Sequence, residues 1–171
     1  VDLGGSSGQY PKYLALSRPD VKVISIEPDA ENYRMALEDI KKNGLSDRVT
    51  LINDKVPSAL GQIAASGQKI DAATSIYRTH LQSDADNISD MKALKDFTGK
   101  TGASVVYHDL HRPKLQSTVD KMIRIYPADD ASDKFRQNYA SSLKGAYRDD
   151  ELQGLLTKHA GGKWQDMPAL P

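Results

Sequence analysis

Asp2-Leu3-Gly4-Gly5-Ser6-Ser7-Gly8, answered further on by Glu27-Pro28-Asp29, is the stretch that decides how this chain is read. Glycines let the backbone turn tightly and approach a ligand with no Cβ in the way, and free N–H groups at the start of the next helix face that ligand. Glu27 stands 19 positions after Gly8, at the tip of a β-branched run. There a carboxylate accepts hydrogen bonds from both hydroxyls of a ribose. A glycine loop alone is equally an ordinary strand-to-helix turn, and the acid at the second strand tip favours a nucleotide site.

Outward from this pair, short apolar runs alternate with helical patterns, which predicts β-α repeats and a mostly parallel, doubly wound α/β sheet. Val21 to Ile26 reads as the second strand, ended by Glu27-Pro28 because Pro28 has no N–H for a ladder. Asp29 is the expected N-cap of a helix whose stripe is Tyr33, Leu37 and Ile40, widened by Met35 and Ala36 and stopped at Asn43-Gly44. Arg48 to Ile52 is the third strand, and Pro57 opens a short helix reaching Ser66-Gly67. Ile70 to Ile76 and Ala103 to Tyr107 are the fourth and fifth strands, separated by a helix carrying Ile88, Met91, Leu94 and Phe97. After Arg112-Pro113 three helical patterns follow, near Lys114–Ile125, Ser132–Leu143 and Asp149–His159, the last stopped by Gly161-Gly162.

Composition narrows the function. The 171 residues fit one domain with a sizeable core. Lys plus Arg balance Asp plus Glu at 23 each, so the charge footprint of a phosphate-backbone binder is missing and no nucleic-acid partner is expected. No apolar run approaches the roughly 20 residues of a bilayer span, so no membrane partner is expected. With no cysteine there is neither a disulfide framework nor a thiolate site, which suits a reducing cytoplasm.

The ordered motifs resemble those of class I S-adenosylmethionine-dependent methyltransferases, well over residues 1–113 and loosely beyond. Val1 to Gly8 is similar to the family's first motif, with Ser6 where many members have a middle glycine. Glu27-Pro28-Asp29 resembles the second motif, Asn43-Gly44-Leu45 to Ile52-Asn53-Asp54 the passage into the third strand, Ile70 to Tyr77 the fourth-strand motif, and Val105 to Pro113 the fifth strand and its exit. The resemblance implies a Rossmann-like core, S-adenosyl-L-methionine as cofactor, and binding by Asp2, Gly4, Gly5, Ser6, Gly8, Glu27, Pro28, Asp54, Lys55 and Ser75. In it Glu27 holds the ribose and Asp54 contacts the adenine amino group. It also implies a single domain, 1–113 the cofactor core and 114–171 a helical substrate-side segment. The family's N-terminal helices and closing strand pair are expected to be missing, as in a fragment or a domain of a larger chain or complex.

Methyl transfer asks the protein mainly to hold an acceptor in line and exclude water, so a base is optional. Tyr77, His80 and His108, with His111 beside them, fall near strand exits and are the candidates for taking the acceptor's proton, each with the alternative of an ordinary loop residue. His108, Asp109 and His111 are too close along one loop to converge on a metal, and none is expected. Arg78 reads as a solvated surface residue, with a contact to an anionic substrate as the alternative. Tyr10 and Tyr13 read as packing residues. The expected function is methylation of a small molecule on oxygen or nitrogen. A non-catalytic methyltransferase-like scaffold is the alternative, and an NAD(P)-dependent oxidoreductase a lesser one, disfavoured because Ser6 and Gln9 stand where its fingerprint has glycines.

Overall fold

The alternation of apolar and amphipathic runs takes shape in a computed structural model, which describes residues 1–128 and 130–165. Its strands are β1 (Asp2–Leu3), β2 (Val23–Ile26), β3 (Val49–Ile52), β4 (Ala72–Ile76) and β5 (Ser104–His108). Its helices are α1 (Gln9–Ser17), α2 (Ala30–Lys42), α3 (Val56–Ala65), α4 (Asp84–Thr101), α5 (Gln116–Ile125), α6 (Asp133–Gly145) and α7 (Asp149–Leu155). A 3₁₀ turn covers Thr79–Leu81, and a π-helical turn, Leu156–Ala160, follows α7. Residues 166 to 171 lie outside the described residues.

The five strands form one sheet in the order β3-β2-β1-β4-β5, and every pairing is parallel. This is the doubly wound arrangement expected, with β1 central and the chain leaving it toward opposite edges. Its topological switch point lies between β1 and β4, where sheets of this kind hold ligands beyond the carboxyl ends of the strands. Strands buried on both faces carry apolar side chains throughout. Leu3, Val23, Ile26, Val49 and Ala73 are accordingly all nearly inaccessible.

Chain contacts divide the molecule into two units. The first holds Val1–Arg78 and Asp96–His108 and contains the whole sheet; the second holds Thr79–Lys95 and the chain from Asp109 onward. In the first, Ala15, Val23, Ile40, Leu45 and Val49 form a buried cluster against which Leu14, Val21 and Leu51 pack. The Asp29 side chain caps α2 by accepting from the Asn32 amide at 2.8 Å. Gly44, at φ +67°, ends α2, and the Leu45 amide reaches back to the Ile40 carbonyl at 3.0 Å. The stripe of α2 differs from expectation at Met35, which is 46% exposed while Ala36 and Ile40 are buried. Tyr13 differs too: expected to pack, it is 67% exposed on α1.

In the second unit α5 contacts α6, and α6 contacts the 3₁₀ turn. The approach there is close, since a Cβ on Gly145 would stand 2.6 Å from the His80 carbonyl oxygen. Arg112 ties its segment to the start of α7, donating to the Ala146 carbonyl at 2.8 Å and to Glu151 Oε2 at 2.8 Å.

Several element ends differ from the sequence reading by one or two residues. β2 starts at Val23, β4 at Ala72 and α5 at Gln116, while α3 starts before Pro57, at Val56. Proline is tolerated in a first helical turn, where its missing N–H has no helical partner to lose.

Candidate cofactor site at the switch point

The loop after β1 is built from conformations that few residues accept. Gly4 and Gly8 adopt φ +80° and +87°, and Ser6 adopts φ +47°. Serine therefore takes the left-handed conformation itself, at a cost of roughly 1–2 kcal/mol that glycine avoids. Each glycine is also a close approach. A Cβ on Gly5 would lie 2.0 Å from Ser25 Oγ, and one on Gly8 would lie 2.9 Å from the Ala36 Cβ of α2.

Beneath the loop, buried Asp2 accepts from Ser25 Oγ on β2 at 2.9 Å and from Thr74 Oγ1 on β4 at 3.3 Å. Burial pushes its carboxyl up to about 6, against the pull of these hydroxyls and of the Arg78 charge. Asp2 thus stitches three neighbouring strands together at the base of the loop.

Glu27, one residue past β2 and 6% exposed, clasps the loop from the other side. Its Oε2 accepts from the Ser6 amide at 2.7 Å and its Oε1 from the Asp29 amide at 2.9 Å. A carboxylate has about four acceptor positions, so two amides leave capacity for hydroxyl donors. The register Ile26↔Ile52 places Asn53 beside Glu27, and Asn53 Nδ2 donates to the carbonyls of Glu27 at 2.8 Å and Pro28 at 3.2 Å. Asn53 and Ser25 were missed in the sequence. The parallel register that aligns strand tips was the signal that identifies Asn53.

Asp54 turns toward α3: Oδ1 accepts from the Lys55 amide at 2.7 Å, and Oδ2 from Ser58 Oγ at 2.6 Å and Gln62 Nε2 at 2.9 Å. The Ser58 hydroxyl, followed by the Lys55 amide, holds its carboxyl below the usual range. Ser75, paired with Leu3 across the switch point, is 1% exposed, and its Oγ finds no hydrogen-bond partner. A buried orphan hydroxyl and a glycine cradle are features a bound ligand would complete.

The expectation of free loop amides is corrected in part. The amides of Gly4 and Gly5 donate to the Ile26 carbonyl at 2.8 and 3.0 Å, that of Gly8 to the Gly5 carbonyl at 2.9 Å, and that of Ser6 to Glu27. Four N–H groups of the loop thus hold the loop's own shape.

At the exit of β4, Tyr77 is held at φ +51° and is 51% exposed. Its amide donates to the His108 carbonyl at 2.7 Å. Its hydroxyl lies 3.1 Å from His108 Nε2, with the rings edge-to-face at 4.9 Å. Arg78 is half-buried rather than a loose surface residue: a Cβ on Gly4 would lie 2.3 Å from its Cδ and 2.6 Å from its Nε.

His80 belongs to the second unit. Its Nδ1 bonds Asp109 Oδ1, while Asp109 Oδ2 takes the Thr79 hydroxyl and, at 2.6 Å, the Thr79 amide. Burial alone would raise the Asp109 carboxyl; the hydrogen bonds from His80, Thr79 and the Leu110 amide prevail and leave it lowered. His111 pairs with Asp149 at 2.6 Å. The three groups of the 108–111 loop thus have separate partners, and no three His, Asp or Glu side chains are grouped as a metal needs among the described residues.

The sheet order, the glycine loop at its centre and the acid at the second strand tip define a doubly wound α/β fold with a candidate ligand site at its switch point. Comparison with solved structures makes this specific. The plantazolicin methyltransferase BpumL, in complex with a pentazolic desmethylPZN analog and SAH, aligns with TM-score 0.62 and 16% identity over 92% of this chain and 53% of that one. A SAM dependent methyltransferase from Aquifex aeolicus aligns with TM-score 0.56 and 19% identity, over 94% and 69%. Mitomycin 7-O-methyltransferase MmcR aligns with TM-score 0.58 and 16% identity, over 94% and 41%. The chain has the Rossmann-like fold of the class I S-adenosylmethionine-dependent methyltransferases. No protein-family model matches it. Among curated proteins, the ribosomal RNA small subunit methyltransferase G of Kineococcus radiotolerans is 33% identical over 66 residues, 39% of this chain and 26% of that protein. The protein of the same name from Frankia alni is 36% identical over 59 residues, 34% and 22%. The match thus spans about a quarter of these curated relatives, and the chain about half of BpumL. No helix among the described residues is long and apolar enough to cross a membrane.

Proposed function

We propose that this chain binds S-adenosylmethionine at the exits of β1, β2 and β3 and serves transfer of its methyl group to a small-molecule oxygen or nitrogen. The observation that carries the reading is the clasp of buried Glu27 on the glycine loop, within a sheet of this order. Glu27 receives the ribose hydroxyls, Gly4, Gly5, Ser6 and Gly8 shape the floor, and Asp2 braces it. Pro28, Asp54 and Lys55 border the adenine end, and Ser75 supplies its unmatched hydroxyl at the switch point. When bound, the cofactor supplies a sulfonium methyl already activated for displacement.

The chain's own part is to hold, to exclude water and to take up a proton. Tyr77 Oη and His108 Nε2 form a hydrogen-bonded pair through which a proton leaving an acceptor passes to the imidazole. The strained backbone of Tyr77 fits that role, because left-handed non-glycine residues gather at working sites. His80 fits a structural role better: its side chain is 7% exposed and that of Asp109 4%, so the dyad is closed to solvent. We place the protein in the cytoplasm, in keeping with its lack of cysteine.

A second reading takes its support from the curated relatives named for ribosomal RNA: the acceptor is a nucleic acid. The equality of cationic and anionic residues opposes it. Calorimetric titration with S-adenosylhomocysteine, NAD serving as control, tests the main reading. The wild-type chain binds at micromolar level, and Glu27→Ala, with an unchanged circular dichroism spectrum, weakens binding by roughly 1–3 kcal/mol. A folded chain that binds no S-adenosylhomocysteine sinks the cofactor reading and leaves a scaffold. Label transfer from tritiated cofactor to ribosomal RNA, but to no small acceptor, would replace the acceptor class.

A further inference from the structure

Asp54 follows Asn53, whose side-chain amide reaches the Glu27 carbonyl at 2.8 Å, so its carboxylate stands one strand over from the acid that clasps the glycine loop. In the proposed site this is the adenine end.

The carboxylate there is held by its own helix. The buried side of α3 carries Val56, Ala59, Leu60 and Ile63, and Ser58 and Gln62 stand on its exposed side, 4 and 8 residues after Asp54. At that spacing the three side chains form one ridge along the helix surface. Ser58 Oγ donates to Asp54 Oδ2 at 2.6 Å, and Gln62 Nε2 donates to the same oxygen at 2.9 Å and to Ser58 Oγ at 3.2 Å. The Lys55 amide donates to Oδ1 at 2.7 Å.

A carboxylate offers about four acceptor positions, two on each oxygen. Two donors fill Oδ2 and one occupies half of Oδ1, so a single position stays open, on Oδ1. The Ser58 hydroxyl, then the Lys55 amide, keep the carboxyl below its usual range, so near neutral pH the group accepts and does not donate. The packing of α3 does not ask for this arrangement, because Ser58 and Gln62 are exposed and substitutions at such positions change stability little.

We infer that Ser58 and Gln62 are the positioning residues of base selection: they fill Oδ2 of Asp54 and leave one fixed acceptor, on Oδ1, which takes the exocyclic amino group of adenine and refuses a purine with a keto oxygen in its place. The inference rests on the proposed cofactor site and adds to it the pair of side chains that sets its base preference. An amino group donates into the open position. A keto oxygen would face a carboxylate oxygen with no hydrogen between them, and both would go without a partner.

The test is calorimetric titration of the full chain with S-adenosylhomocysteine and with S-inosylhomocysteine, which carries a keto oxygen where the other has its amino group. Wild type is expected to prefer S-adenosylhomocysteine by about tenfold or more. Ser58→Ala combined with Gln62→Ala weakens S-adenosylhomocysteine about three- to tenfold and leaves S-inosylhomocysteine within about twofold, so the preference shrinks. Ser58→Thr, which keeps the hydroxyl, keeps the preference. Equal weakening of both ligands is what a merely structural pair would give, and it overturns the inference, as does a preference unchanged in the double variant or absent from wild type. Should the double variant fail to fold, Gln62→Ala alone decides by the same ratio. A wild-type chain that binds neither ligand overturns the cofactor reading itself, and this inference with it.

Discussion

Asp2 has two tasks that pull against each other. It bonds Ser25 and Thr74 to hold three strands together, yet its burial raises its carboxyl from 3.8 to about 6. Between those pH values the folded chain holds a proton that the unfolded chain releases. The associated stability is fully present below about 3.8 and is lost as pH rises through about 6. The rise in its pKa corresponds to roughly 3 kcal/mol. Asp2→Asn is therefore expected to lose stability less steeply than wild type between pH 4 and 6 in urea unfolding; parallel curves for the two would refute the assignment. Gly8→Ala tests the loop in a different way. At φ +87°, with the Ala36 Cβ 2.9 Å and its Cα 3.1 Å from the new methyl, the loop or α2 must shift. The expected loss is about 1–3 kcal/mol in denaturant unfolding, with affinity for S-adenosylhomocysteine reduced alongside.

The elements that carry the site have start and stop signals written in them. In α2, Asp29 accepts from Asn32, Glu31 lies in the first turn and Gly44 closes the end. Asp29→Ala is expected to lower stability by about 1 kcal/mol and, because the Asp29 amide still reaches Glu27, to change cofactor affinity little. Denaturant midpoints and one titration check both halves of that statement. Helix and strand periods were legible because burial repeats at 3.6 or 2 residues in the chain itself. Met35 misled for the same reason: a period marks a face without saying what covers it. The register was not legible, and it aligns Glu27 with Asn53.

At the scale of the molecule, ligand linkage offers the broadest check. S-adenosylhomocysteine at a hundred times its dissociation constant should raise the unfolding free energy by about 2.7 kcal/mol, while NAD leaves it unchanged. Hydrogen exchange should slow at the loop after β1 and at the exits of β2 and β3. Protection confined to the chain beyond Asp109 would place the ligand elsewhere. The second unit was only partly legible. Its helices were expected, but the union of Thr79–Lys95 with the chain from Asp109 onward joins segments separated by β5.

What the sequence alone determined is the alternating α/β architecture, the turn at Gly4 to Gly8, the acid at Glu27 and the cap at Asp29. Each depends on residues close together in the chain: a period, a backbone without a Cβ, a side chain reaching its own helix. What the tertiary structure decided is which distant groups meet. Asp2 meets Ser25 and Thr74 across 23 and 72 residues, Tyr77 meets His108 across 31, His80 meets Asp109, and Arg78 covers Gly4. The physical reason is the parallel sheet. Its neighbouring strands are joined by long crossovers, so side-chain partners are set by strand order and register, which no local pattern encodes.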